Sequence, residues 1–246
     1  MLDGKGKSRR KRRGYSIRAY IGGNGTGKSL AMVHDLLPSL ERGRRVLSTV
    51  AILDSDTGLP HDLYVPFTDF RQLFDFTDGD VLLDEITGVA SARESQSLPV
   101  QVANFLPQLR RRNVTLSWTA TGWKRADVIL RELTLGVTLC RGLMPKVSDI
   151  DDRIWGDNRL FRWSTYDAQA FDEWTMAKKD KLKREVLTMF WRPGSEAEKS
   201  YRTFDPVLAV GWSNEAGLCM VCGGKRRVPL CVCKPAKNDS TGIVSV

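Results

Sequence analysis

The chain has 246 residues, of which 41% are hydrophobic and 27% are charged, and its formal net charge is +9. This length accommodates one sizeable core, alone or with a small appendage, and no stretch approaches the roughly 18 consecutive apolar residues that a membrane span needs. The basic N-terminus is followed by polar residues rather than by the apolar segment of a signal peptide, so we expect a cytoplasmic protein.

The first fourteen residues form a basic segment. They hold seven Lys and Arg residues against Asp3 alone, so most of the net charge lies there. Runs of like charge favour disorder and often bind polyanions. We therefore interpret residues 1–14 as a disordered basic tail that either contacts nucleic acid or serves only solubility.

Residues 15–210 alternate between strand and helix patterns. Strands are predicted at Tyr15–Ile21, Arg45–Leu53, Val81–Asp84, Val114–Trp118, Gly136–Cys140 and Glu185–Trp191, with Tyr201–Val210 as an additional edge strand. Helices are predicted at Ser29–Glu41, Asp69–Phe76, Leu98–Arg112 (with Pro107 as a kink or boundary), Ala126–Leu133 and Asp167–Asp180. Connections are predicted at 54–67, 142–160 and 192–200, with a turn at 78–80. The alternation indicates an α/β domain with a mostly parallel central sheet flanked by helices.

A glycine-rich loop joins the first predicted strand to the first predicted helix. It matches G-x-x-x-x-G-K-[ST] and consists of Gly22, Gly23, Asn24, Gly25, Thr26, Gly27, Lys28 and Ser29. Glycines allow backbone amides to curl around a phosphate, and the start of the helix adds the positive end of its dipole. Lys28 can reach the β- and γ-phosphates, and the Ser29 hydroxyl can bind Mg²⁺. The loop therefore predicts a binding site for ATP and Mg²⁺.

An acidic pair, Asp84 and Glu85, follows the apolar strand Val81–Leu83. Ligands of open α/β sheets bind at the carboxyl ends of the strands, so Asp84 is expected to hold the same Mg²⁺. Glu85 is placed to orient and polarise the water that attacks the γ-phosphate. The adjacent glutamate favours an ATPase of the additional-strand type over small kinases, and the lack of an N-K-x-D segment argues against a GTPase.

The segment from Leu109 to Arg131 carries a more specific resemblance. The basic run 109–113 precedes the strand 114–118, then Thr119-Ala120-Thr121, and a segment that ends in Arg131. This layout resembles the FtsK/HerA superfamily of DNA-pumping ATPases, and most of all the ATPase domain of zonula occludens toxin-like and filamentous phage assembly proteins. The resemblance covers about residues 15–210.

The resemblance implies roles for several further residues. Thr121 falls near the sensor position that contacts the γ-phosphate, where the family usually has glutamine, and Thr119 is equally placed. The candidates for an arginine finger, which acts on the site of a neighbouring subunit, are Arg110, Arg111, Arg112 and Arg131. The run 110–112 is also compatible with DNA contact or with a plain solvated surface. Relatives of the zonula occludens group typically carry a membrane span after this domain, and the absence of one here favours cytosolic processing of DNA over virion export.

Four cysteines near the C-terminus form a cluster with metal-ligand spacing. Cys219, Cys222, Cys231 and Cys233 make a C-x₂-C and a C-x-C pair, and four thiolates close a tetrahedral zinc site. We therefore expect a small zinc-binding module over residues 211–246, with free or redox-active thiols as the alternative. Cys140 stands alone in an apolar run, and we expect it to be a small residue of the hydrophobic core. His34 and His61 are expected to be structural or surface residues.

Together, these patterns predict an ATP-hydrolysing motor that translocates or packages DNA, works as a homo-oligomeric ring and is encoded by a phage or other mobile element. One alternative is the ATPase subunit of a phage terminase, which normally adds a nuclease domain. Another is a nucleotide-dependent switch or assembly protein that does not move DNA. A small-molecule kinase is a third.

Overall fold

The computed structural model describes residues 15–86, 98, 100–143, 159–177, 182–202 and 210. The strands in chain order are β1 (Ile17–Ile21), β2 (Arg45–Ser48), β3 (Tyr64–Pro66), β4 (Gly79–Leu83), β5 (Thr115–Ala120), β6 (Gly136–Gly142), β7 (Leu160–Asp167) and β8 (Val186–Trp191). They form one eight-stranded sheet in the order β3-β2-β4-β5-β1-β6-β7-β8.

Six neighbouring strands of this sheet, from β3 to β6, run parallel to one another. The last two strands, β7 and β8, add to the β6 edge in antiparallel fashion. Strands of a parallel sheet that is covered on both faces are buried throughout, and all five residues of β4 are buried. The predicted mostly parallel sheet is thus confirmed.

Helices cover both faces of the sheet. They are α1 (Lys28–Leu40), α2 (Arg71–Asp75), α3 (Val100–Phe105), α4 (Val128–Leu133), α5 (Ala168–Ala177) and α6 (Glu196–Lys199). Short 3₁₀ helices span Leu106–Arg112 and Trp123–Arg125. The predicted boundary at Pro107 is confirmed, because α3 ends at Phe105 and the chain continues as a 3₁₀ helix. None of the described helices has the length and hydrophobicity that crossing a membrane requires.

The sheet separates two apolar clusters. On one face, α1 packs its buried side chains, such as Leu30 and Val33, against Tyr20 of β1 and Trp163 of β7. On the other face, the core includes Trp118 of β5 and the aromatic residues around α2, α3 and α5. The domain therefore has the three-layer arrangement of an α/β protein.

Four elements differ from the sequence-based expectation. The strand β3 lies inside the stretch 54–67 that was expected to be a connection, and α6 lies inside the expected loop 192–200. The strand β4 begins at Gly79, within the expected turn. The strand β7 was not predicted, although it alternates buried and less buried residues over part of its length. The basic tail 1–14, residues 203–209 of the predicted edge strand and the cysteine-rich segment 211–246 lie outside the described residues.

Candidate functional site

The glycine-rich loop and the acidic pair lie at the same edge of the sheet. The loop follows β1 and the acidic pair follows β4, and both strands run parallel to β5, which lies between them. Ile21 pairs with Ala120, and Leu83 pairs with Trp118, so the two strands end at nearly the same level. The sheet thus places the loop and the acidic pair at one crevice, with a single strand between them.

A direct contact joins the two motifs. The hydroxyl of Ser29, in the first turn of α1, donates to the two carboxylate oxygens of Asp84 at 2.9 and 2.8 Å. Asp84 is buried, with 8% of its surface exposed. A hydroxyl and a carboxylate are hard oxygen donors of the kind that Mg²⁺ prefers, so these two residues fit the predicted ion.

The loop itself is folded by its own side chains. The hydroxyl of Thr26 donates to the carbonyl oxygen of Gly23 at 2.8 Å, and the ammonium of Lys28 folds back to the same oxygen at 3.0 Å. The helix α1 then runs for 13 residues, and its first intrahelical bond joins the amide of Ala31 to the carbonyl of Gly27. The amides of its first turn have no partner within the helix, which makes this helix start a site for an anion.

Gly27 is required at the start of α1 for two reasons. Its φ angle is 79°, in the left-handed region that side chains other than glycine rarely adopt. A Cβ atom at this position would also lie 2.6 Å from the ring of Phe161 on β7. The loop is thus packed directly against the antiparallel extension of the sheet, a contact that no local sequence pattern indicated.

Two buried threonines hold the acidic strand end. The hydroxyl of Thr119 donates to Asp84 Oδ1 at 2.6 Å and accepts from the amide of Glu85 at 2.9 Å. The hydroxyl of Thr49, which follows β2, accepts from the amide of Asp84 at 2.8 Å. Thr119 was one of two expected sensor residues, whereas Thr49 was missed. The strand was predicted to run to Leu53, so the sequence carried no signal that Thr49 stands at a strand end; β2 ends at Ser48.

Glu85 adopts an uncommon backbone conformation. Its φ angle is 51°, and its side chain is exposed while the preceding Asp84 is buried. A residue other than glycine, asparagine or aspartate in the left-handed region costs about 1 kcal/mol, and such strain persists where the surroundings fix it. Here the hydrogen bond from the Glu85 amide to Thr119 fixes the turn, so the carboxylate is presented to solvent at the carboxyl edge of the sheet.

The other expected sensor residue, Thr121, lies one residue beyond β5 at the same edge. Its hydroxyl accepts a hydrogen bond at 3.0 Å from Arg125, which is exposed in the 3₁₀ helix that follows. Arg125 was not among the predicted site residues. The structure therefore brings Thr119, and not Thr121, into contact with Asp84.

The four expected arginines fall into two environments. Arg131 makes an ion pair with Asp172 at 3.3 Å, and its guanidinium lies 6.0 Å from the centre of the Trp123 ring. Arg112 also binds within the chain, to the carbonyl oxygen of Phe74 and over the ring of Phe105. Arg110 and Arg111 are exposed before β5, at the edge opposite the glycine-rich loop.

The expected zinc ligands Cys219, Cys222, Cys231 and Cys233 lie outside the described residues. Within the described ranges, no group of three or more His, Cys, Asp and Glu residues could hold a metal ion. Cys140 is buried as expected, and burial raises the pKa of its thiol from 9.0 to about 12.

The two histidines are also structural, as expected. His34 packs against Trp163 and Phe190. The ring of His61 accepts a hydrogen bond from the amide of Leu63.

The chain is similar to several solved structures. One is the N-terminal domain of zonular occludens toxin from Neisseria meningitidis, with 19% identity over 76% of this chain and 98% of that chain, and a TM-score of 0.48. Another is the genome packaging NTPase B204 from Sulfolobus turreted icosahedral virus 2 in complex with ATP-gammaS, with 10% identity over 70% of this chain and 95% of that chain, and a TM-score of 0.42. No family model matches the chain, and no curated protein matches it by sequence.

Proposed function

We propose that this chain is an ATP-hydrolysing motor that moves or packages DNA as a homo-oligomeric ring. The observation that carries the nucleotide part is the hydrogen-bonded pair of Ser29 and Asp84, which joins the glycine-rich loop to the acidic strand end across β5. A chance glycine-rich turn would have no reason to meet a buried carboxylate at the carboxyl edge of a parallel sheet.

ATP would bind with its phosphates against the loop and the first turn of α1. The Lys28 ammonium, which lies across the loop, would exchange its bond to the Gly23 carbonyl for bonds to phosphate oxygens. Ser29 and Asp84 would hold Mg²⁺, which supplies charge neutralisation for the phosphates when bound. The buried environment of Asp84 strengthens these charge interactions.

Glu85 would accept the proton of the attacking water. It is exposed, it directly follows the carboxylate that holds the metal, and its backbone is fixed by Thr119. A positioned general base typically contributes 10²–10⁴-fold to a rate. Transfer to a metabolite is a poorer fit, because a carboxylate presented to solvent suits water activation.

The DNA and ring parts of the proposal depend on charge and exposure. A trans-acting arginine has to reach a neighbouring subunit, and Arg110 and Arg111 are exposed whereas Arg131 is committed to Asp172. We therefore place the arginine finger, or a contact to the DNA backbone, at Arg110 or Arg111. The basic segment 1–14 adds a second polyanion-binding region.

The test is ATP turnover by the full chain with and without single- and double-stranded DNA. We expect slow basal turnover, strong stimulation by DNA, and a loss of about 10²–10⁴-fold in Glu85→Gln with nucleotide binding retained. Glu41→Gln is the matched control, because Glu41 is an exposed carboxylate at the C-terminal end of α1. Equal turnover in Glu85→Gln and wild type would remove Glu85 from the mechanism. Turnover without stimulation by DNA would favour a nucleotide-dependent switch.

A further inference from the structure

The outer strands β6, β7 and β8 have one face packed on α1. On the other face α5 covers only the end that carries Val137 and Tyr166, and the rest of that face is open. Side chains of directly opposed residues in antiparallel strands lie on the same face. The packed face, which meets α1, carries the rows Cys140–Trp163–Thr188 and Gly142–Phe161–Phe190. The open part of the other face begins at the row Leu139–Ser164–Leu187, whose Ser164 is still buried, and continues with Arg141–Arg162–Met189 and Leu160–Trp191.

The open face exposes large apolar side chains. Trp191 is 52% exposed, Met189 is 51% exposed and Leu187 is 38% exposed, although all three belong to one strand of the sheet. Tryptophan is costly to leave in water, and exposed apolar groups that are contiguous mark binding surfaces.

Two arginines oppose each other on the same face. Arg141 of β6 pairs directly with Arg162 of β7, and like charges at such positions destabilise a sheet. Over the described part of the chain, neither guanidinium has an ion pair or a hydrogen bond to an acidic group. None of the open-face rows contains Asp or Glu. The repulsion would be relieved by an anionic partner that bridges the two side chains.

This surface adjoins the glycine-rich loop. A Cβ on Gly22 would lie 2.6 Å from the carbonyl oxygen of Cys140, and the ring of Phe161 packs on Gly27. Arg141 and Arg162 directly follow Cys140 and Phe161 in the chain. A ligand that shifted either strand would therefore also displace the glycine-rich loop.

We propose that this open face, which we call the Arg–Trp face (Arg141, Arg162, Leu187, Met189 and Trp191), binds single-stranded nucleic acid. The two guanidiniums would contact backbone phosphates, and Trp191 would stack on an unpaired base. Bases within a duplex are already stacked and cannot reach a side chain on a flat sheet, so the exposed tryptophan selects a single strand. The binding stands on this surface alone, and its role in a DNA motor rests on the proposed function.

The test measures binding of a labelled oligothymidine and of a duplex of equal length by fluorescence anisotropy. The protein is the full chain carrying Glu85→Gln, with a non-hydrolysable ATP analogue, so that the result does not depend on turnover. Trp191→Ala should weaken single-strand binding about 5- to 150-fold, the range that loss of one base stack produces, with little effect on the duplex. Trp191→Phe should restore most of the affinity, because phenylalanine also stacks.

The arginines are tested through salt dependence. The double variant Arg141→Gln/Arg162→Gln should lower the slope of log affinity against log salt by about 1.4, since each phosphate contact on a single strand contributes about 0.7. The control is Arg42→Gln/Lys199→Gln, which removes two exposed charges near α1 and α6, on the opposite side of the sheet. This control should change the slope by less than half of that amount, because neither charge lies on the proposed binding face.

Three results would overturn the proposal. One is unchanged single-strand affinity in both the Trp191→Ala and the double arginine variants. Another is an equal loss for the duplex, which would mean that no unpaired base is read. A third is dissociation of an oligomer by Trp191→Ala in sedimentation, with oligonucleotide affinity intact, which would make the face an interface with a second copy. Thermal melting of each variant separates these outcomes from misfolding.

Discussion

The hydroxyl of Thr119 donates a hydrogen bond to the carboxylate of Asp84 at 2.6 Å inside the sheet, where neither residue is open to solvent. The same hydroxyl accepts from the amide of Glu85, so one side chain on β5 fixes both acidic residues that follow β4. Thr119 is therefore a positioning residue, and it connects the strand between the two motifs to the chemistry that we propose.

Replacing Thr119 by valine keeps the shape of the side chain and removes the hydroxyl. A buried group that loses its partner costs about 1–3 kcal/mol, which corresponds to a rate loss of about 5- to 150-fold. We expect kcat for ATP hydrolysis to fall by that factor while KM changes little, and Thr119→Ser to restore most of the rate. Thr121→Val, at the sensor position outside this network, is the comparison. A larger loss in Thr121→Val than in Thr119→Val would return the sensor role to Thr121.

Replacing Gly27 by alanine tests the contact between the glycine-rich loop and β7. The substitution adds backbone strain at a φ of 79° and places a Cβ 2.6 Å from the Phe161 ring. We expect the free energy of unfolding in urea to fall by about 1–3 kcal/mol. Gly194→Ala is the matched control, because its φ is 75° and nothing lies within 4 Å of an added Cβ.

The double variant Gly27→Ala/Phe161→Leu gives the coupling between these residues. If the ring causes the clash, the double variant should be more stable than the sum of the single changes predicts. Additive losses, or equal losses in Gly27→Ala and Gly194→Ala, would show that the ring contributes nothing to the cost.

The thiol of Cys140 should be unreactive in the folded chain. Burial raises its pKa to about 12, so almost no thiolate is present at pH 8, and alkylation requires the thiolate. We expect iodoacetamide at pH 8 to leave Cys140 unmodified in native protein and to modify it in urea, as read by peptide mass spectrometry. Rapid native alkylation would contradict the buried placement of this side chain.

The C-terminal cysteines remain a prediction from spacing. We expect one zinc ion per chain in metal analysis of the purified protein, held by Cys219, Cys222, Cys231 and Cys233. The double variant Cys231→Ser/Cys233→Ser should lose the zinc, and Cys140→Ala should retain it. A wild-type chain purified without zinc that cannot take it up would favour free thiols.

The local features of this protein follow from the order of its residues alone. The run 22–29 predicts a phosphate loop because consecutive residues set the backbone turn and the following helix start, whatever surrounds them. The apolar pattern of a strand or a helix also repeats within a few residues. The resulting alternation of strands and helices predicts a mostly parallel sheet. Even the placement of Asp84 at the carboxyl edge follows from its position after an apolar strand.

Features that depend on pairing between distant segments appear only in the folded chain. The hydrogen bonds of Thr49 and Thr119 to the acidic turn connect residues about 35 positions apart, so no local pattern contains them. The register of β6 against β7 sets Arg141 opposite Arg162, and a slip of one residue would have turned each side chain to the other face. Strand order and register are set by the packing of the whole sheet, and for that reason the site's supporting contacts and its open face emerge only in three dimensions.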